Sequence, residues 1–160
     1  STAPVLALTL LRVVNSAFYG LPGRVTTIDR AVSLVGLSGV RNLAIATSVG
    51  RLFSGHALTP TFSPVAIWSH SLAVAAAAQL LAVRTRQVHR DEAFLAGLVH
   101  DIGYLIELHV DRHALSRVVS RLEADPDCSV LEAERDEFGA THVDFGVGLC
   151  ERWHIPAVLA

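Results

Sequence analysis

The sequence predicts an all-α protein, a compact multi-helix bundle, and three observations carry that expectation. No period-2 alternation of apolar and polar residues runs for any length. Side chains instead recur at helical spacing, as in the series His142, Phe145, Leu149 and Trp153. Cap and breaker residues also divide the chain into helix-sized pieces, among them Ser63 with Pro64, Gly139 and Thr141.

Residues 5–14, VLALTLLRVV, are apolar apart from Arg12 and predict a buried helix running into Asn15 and Ser16. The stretch AFYGLPGRVT at 17–26 holds two Gly and one Pro and reads as a loop, with Phe18, Tyr19 and Leu21 as apolar anchors. Asn15, Phe18, Tyr19 and Leu21 form a candidate partner-docking loop, because ordered loops carrying aromatic residues often serve recognition. Their alternative role is structural, with Asn15 and Ser16 capping backbone and the apolar residues pinning the loop. Thr27 is placed to cap a short helix that Gly36 ends, and Ser38 begins another running to about Phe53.

A loop over 54–62 leads to Ser63 and Pro64, an N-cap and first-turn pair for a helix to about Val83. This most apolar stretch is interrupted by Trp68, Ser69, His70, Ser71 and Gln79, so it is expected as a buried helix and not a membrane span. Residues 84–90 are a polar connection, Asp91 is placed to cap the helix EAFLAGLVHDI, and Gly103 is placed to end or bend it. A helix from about Asp111 to Glu123 follows, then the turn Asp125, Pro126, Asp127. Ser129 and Glu132 have capping-box spacing for a helix that stops at Gly139, and Thr141 opens the next, ahead of a segment begun by Pro156.

The 160 residues match one domain, and 51% hydrophobic against 18% charged residues exclude a disordered chain. Cys128 and Cys150 lack CxxC spacing, which argues against a disulfide framework and a zinc ribbon and fits a reducing cytoplasm. No basic segment followed by an apolar run marks a signal peptide. Methionine is absent, so the chain is expected to be a piece of a longer product. Charge is uneven: residues 1–90 carry eight Arg against Asp29 alone, net +7, and residues 91–160 carry five Arg against fourteen acids, net −9. This asymmetry fits an anion-binding or docking face, or two halves that attract each other. Arg41, Asn42, Thr47, Ser48 and Arg51 could line a helix-turn-helix, but the apolar residues around them leave little of the polar basic face that nucleic acid needs.

The most informative tract is Ala93 to Gly103, where His100 and Asp101 stand together in apolar surroundings. A buried imidazole beside a carboxylate needs partners or a metal to satisfy both. His70 lies in the preceding helix among Ile67, Ala73, Val74 and Ala77. The midpoint of positions 70 and 100 falls in the polar connection, so an antiparallel hairpin turning there sets the two imidazoles level. His142 can supply a third imidazole, or it can be an ordinary first-turn residue satisfied by backbone or water.

These tracts resemble the HDOD domain, the HD-related output domain of bacterial signalling proteins and a relative of the HD and HD-GYP phosphohydrolases. The resemblance runs through LLRVVNSAFYGLPGRVTTIDRAVSLVGLSGVRNLAIA, IWSHSLAVAAAAQLLA, DEAFLAGLVHDIGYLIEL and EFGATHVDFGVGLCERWHIP. It implies a single HD-like helical domain over 1–160, incomplete at both ends. It also implies that His70, His100, Asp101 and His142 fall where catalytic relatives place metal ligands, with iron, manganese or zinc as the divalent cofactor. Where those relatives carry Lys after His–Asp–x–Gly, this chain has Tyr104, and it stops before their distal ligands. The family resemblance therefore implies a cytoplasmic, noncatalytic regulatory module. Its expected partner is another signalling protein or a small anionic ligand such as a nucleotide, with neither nucleic acid nor membrane. The alternative is a metal-dependent phosphohydrolase acting on nucleotide phosphoesters.

Overall fold

The computed structural model describes residues 3–17, 20–53, 55–60 and 62–155, and among these every regular element is a helix. The chain divides into two compact units, Ser1–Arg51 and Leu52–Ala160.

The first unit holds α1 (Ala3–Val14) and α2 (Ile28–Gly50), which pack on each other around Leu10, Val14, Val25 and Ala31. Asn15 closes the connection between them. Its Nδ2 donates to the carbonyls of Leu11 and Val25, each at 2.8 Å, and its Oδ1 accepts from Val25 N–H at 2.8 Å. One side chain thus satisfies both polar groups of Val25 and seats that residue in the core. Leu21 is half-buried against the same core, whereas Phe18 and Tyr19 lie outside the described residues.

The two helices expected on either side of Gly36 form one element with a kink, where Gly36 takes φ +76° and ψ 163°. Glycine permits this break without ending the helix. Thr27 stands at the N-cap with no side-chain bond to the helix. Along the second half of α2, Asn42 is buried, and the hydroxyls of Thr47 and Ser48 bond back to the Leu43 and Ala44 carbonyls. These three side chains are therefore already engaged.

The second unit runs α3 (Pro64–Thr85), α4 (Arg90–Val99), α5 (Ile102–Val110), α6 (Arg112–Ala124), α7 (Val130–Phe138) and α8 (His142–Arg152). Helix α3 starts as expected, with the Ser63 side chain accepting from Ala66 N–H at 3.1 Å and Pro64 in the first turn. It is less buried than the sequence predicts. Pro64, Ile67, Ser71, Ala75 and Ala82 face inward, while Val65, Leu80, Leu81 and Val83 are exposed. Only the stripe at i, i+4 and i+7–8 spacing meets neighbouring helices, so length and apolarity overstate burial. By length and hydropathy, residues 28–50, 64–85 and 90–110 each suffice to cross a bilayer.

Helix α4 is capped by His89 and not by Asp91, and it stops at Val99, short of the expected end. His100 and Asp101 form the break, and α5 begins at once with Ile102, a separate helix the periodicity did not mark off. Asp111 caps α6 by accepting from His113 and Ala114 N–H at 2.8 and 3.0 Å. Ser129 occupies the N-cap of α7 without a side-chain bond, and Gly139 ends that helix at φ +74°. Thr141 and Asp144 form a reciprocal capping box at the start of α8. Trp153, the last residue of the expected helical series, caps α8 and is exposed, and Pro156 lies outside the described residues. Both cysteines are free.

Three helix pairs organise this unit: α3 with α4, α5 with α8, and α6 with α7. Gly97 admits the first, because a Cβ there would stand 2.8 Å from the Ala75 Cα. Gly103 admits the second, since a Cβ would sit inside the carbonyl of His142. Exposed ion pairs, Arg117 to Glu137 at 2.7 Å and Arg121 to Asp136 at 2.6 Å, join the third. At such sites each contributes at most about 1 kcal/mol.

Gly103→Ala is expected to lower unfolding free energy by about 1–3 kcal/mol, because the added methyl meets backbone that can move only by separating α5 from α8. Urea unfolding followed by circular dichroism measures it, and an unchanged midpoint would contradict the close approach.

Candidate functional site

His70 projects from the second turn of α3, and His100 with Asp101 occupies the break between α4 and α5. The antiparallel hairpin brings the two elements level, placing the imidazole centroids 5.3 Å apart. One ligand atom from each of His70, His100 and Asp101 lies within 4.8 Å of the others. Asp101 Oδ2 is 3.0 Å from His100 Nε2 and 3.7 Å from His70 Nε2.

His100 Nδ1 is 2.9 Å from the carbonyl of Gly97, which can only accept a hydrogen bond. A proton therefore sits on Nδ1, and the approach of Nε2 to the carboxylate is satisfied by a second proton on Nε2 or by a cation. Two acceptors 3.0 Å apart need a proton or a cation between them. Two imidazole nitrogens and one carboxylate are also the donor types that zinc, iron and manganese accept. Bonds of about 2.1 Å span the two shorter separations, and small side-chain rotations close the rest. The residues thus fit a divalent ion, with His70, His100 and Asp101 to hold it.

His142 stands outside that trio. Its Nδ1 is 2.8 Å from both oxygens of Glu134, and its backbone N–H donates to Glu134 Oε2 at 3.0 Å. Glu134 is fully buried on α7. Tyr104 stacks on the His142 ring with centroids 4.2 Å apart and planes 16° apart. Burial draws the His142 pKa down, but the hydrogen bond and charge of Glu134, with Glu107 and Asp101 behind it, hold it above the ordinary histidine value. Burial and the charges of Glu134, Asp101 and Glu107 push the Tyr104 phenol well up, so it remains a donor.

Glu107 completes this buried group from α5. It has no exposed surface, and neither carboxylate oxygen has a hydrogen-bond partner among the described residues. Burial first and the nearby Glu134 second push its pKa up to about 8, with His142 acting in the opposite sense. An acid inside the apolar run IGYLIELHV is visible in sequence, but its pairing with Glu134, twenty-seven positions on, is not.

An open cavity of about 240 Å³ adjoins the trio, lined by Phe62, Ala66, Ile67, His70, Asp101 and Tyr104. Among the described residues neither Arg nor Lys lines it. Arg84, at the far end of α3 from His70, is about 21 Å distant along the axis at ~1.5 Å per residue. In the first unit, residues 14–17 and 20–24 line a second hollow beside the Asn15 clamp.

The described elements are all helical, and His70, His100 and Asp101 converge at a helix break. The HDOD domain family matches residues 1–160, and the chain belongs to that family. It is similar to an HDOD domain protein of unknown function from Geobacter sulfurreducens, with a TM-score of 0.79 and 28% identity over 97% of this chain and 51% of that one. A candidate phosphohydrolase from Shewanella amazonensis gives 0.73 and 27% identity, covering 98% and 54%. The MmoQ response regulator of Methylococcus capsulatus gives 0.56 and 29% identity, covering 98% and 60%. An uncharacterized Treponema pallidum protein is 27% identical over 149 residues, 92% of this chain and 28% of that protein. The chain thus spans about half, or less, of the first of these relatives.

The raised Glu107 pKa sets a pH dependence. Below the ordinary value of 4.5 both folded and unfolded chains hold the proton, and between 4.5 and about 8 only the folded chain does. Stability from this group is therefore present in full below about 4.5 and lost as pH rises through about 8. In Glu107→Gln that loss is absent, so the variant is expected to gain on the parent in urea midpoint from pH 5 to 8.5. Parallel pH profiles for the two proteins would refute the buried, unpartnered acid.

Proposed function

We propose that this chain is a noncatalytic regulatory module that passes a signal by binding another protein or a small ligand, in the cytoplasm of a bacterium. One observation carries the reading: three donors converge, but they adjoin a largely apolar cavity whose described lining holds neither Arg nor Lys. Phosphoester hydrolysis requires charge stabilisation of the non-bridging oxygens as well as an activated water. Tyr104, held neutral, adds no positive charge. His142, the fourth candidate ligand, lies outside the group of three converging donors. Family membership and the response-regulator neighbour support a signalling role.

A second reading, a metal-dependent phosphohydrolase, is favoured by the His70, His100 and Asp101 geometry and by the Shewanella neighbour. When bound, a divalent metal supplies Lewis acidity there. His70 and His100 present nitrogen donors to it, and Gly97 orients His100 through its carbonyl. With three side-chain donors and exposed imidazoles, metal is expected to be weakly held.

The purified chain, given manganese or ferrous iron and a cyclic dinucleotide, is expected to release no more product than a His100→Ala, Asp101→Ala double variant. Elemental analysis after exhaustive dialysis should find well under one metal per chain. Turnover that disappears in the double variant would establish the phosphohydrolase reading instead.

A further inference from the structure

We infer that the cavity beside the His70, His100 and Asp101 trio is a binding site for a single-ring aromatic monocarboxylate whose carboxylate completes the coordination of a divalent metal. The inference rests on the metal-binding capacity of the trio, not on whether the chain is catalytic.

Size sets the first limit. About 240 Å³ lies below the range of about 300–1,000 Å³ usual for drug-sized ligands, while a dry cavity of about 150 Å³ takes one benzene. One ring with one substituent fills it, and the remainder of a larger ligand would lie outside it.

Wall chemistry sets the second. Phe62, Ala66, Ile67 and Tyr104 present apolar surface, and the Phe62 and Tyr104 rings stand edge to face, 6.4 Å between centroids and 74° between planes. A planar ring gains from both an aromatic face and an aromatic edge beyond its burial. Both walls are held in place before any ligand arrives. Tyr104 is stacked on His142. Phe62 closes a turn through its carbonyl, which accepts from Leu58 N–H at 2.9 Å, and its own N–H donates to Thr59 Oγ1 at 3.1 Å.

Charge sets the third. The polar end of the cavity is His70 and Asp101, with His100 behind. A divalent ion held by two neutral imidazoles and one carboxylate leaves a single net positive charge, and no Arg or Lys in the lining adds to it. One carboxylate balances that charge. A nucleoside polyphosphate would bury unpaired negative charge at the cavity mouth.

The test is calorimetric titration of the full chain in excess zinc with benzoate, acetate, cyclohexanecarboxylate and phenol. Benzoate is expected to bind at least about tenfold more tightly than acetate or phenol, and more tightly than cyclohexanecarboxylate. Phe62→Ala and the milder Phe62→Leu should each weaken benzoate several-fold while leaving zinc affinity unchanged, and Asp101→Asn should weaken both. Benzoate binding no tighter than acetate, or equally tight without zinc, would overturn the inference on the parent protein alone, whatever the variants do. Product release from a cyclic dinucleotide in the earlier assay would overturn only the noncatalytic reading.

Discussion

Much of the second unit depends on one buried carboxylate. Glu134 accepts from the backbone N–H and ring of His142, and the Tyr104 ring stacks on that imidazole. A buried, unpaired carboxylate would cost several kcal/mol, so these bonds are conditions of burial rather than additions to it. Through them α7, α5 and α8 meet at one point. Gly103 allows that meeting, since only a residue without Cβ can rest against the His142 carbonyl. Glu107, fully buried and without a hydrogen-bond partner, raises the electrostatic demand on the same point. Removing one member therefore affects the others, as expected for a polar network in a low-dielectric interior.

The site that faces solvent is built on the edge of this network and on a hairpin. Close packing of Gly97 on Ala75 sets the register of α3 against α4, and that register places His70 beside His100. The break after Val99 matters as much. Were α4 continuous with α5, His100 and Asp101 would point about 100° apart around the helix axis, and they could not both meet His70. Ending the helix there turns the dipeptide into two converging donors.

Tyr104 links the two layers. One face of its ring lies on His142, and its side chain lines the cavity beside His70 and Asp101. Tyr104 thereby connects the cavity wall on α5 to the His142–Glu134 pair on α8 and α7.

The helical class, most helix starts and the pairing of His70 with the His100–Asp101 dipeptide were legible in the sequence. They depend on period, on local caps such as Ser63, Asp111 and Thr141, and on counting from a turn, all of which act within a few residues or along one hairpin. The local signals also had limits. Gly36 bends a helix that it was expected to end, His89 and not Asp91 caps α4, and the exposed Leu80 and Leu81 on α3 carry no sequence mark that separates them from core residues. Tertiary structure alone decided that Glu107 and Glu134 share one buried space, that His142 answers to Glu134, and that Phe62 comes to face Tyr104. Each of these joins residues from different elements, and which of them meet depends on the angles and spacings at which helices pack. Glycine contacts such as Gly97 on Ala75 and Gly103 on His142 set those spacings, and they become visible only when both backbones are in place.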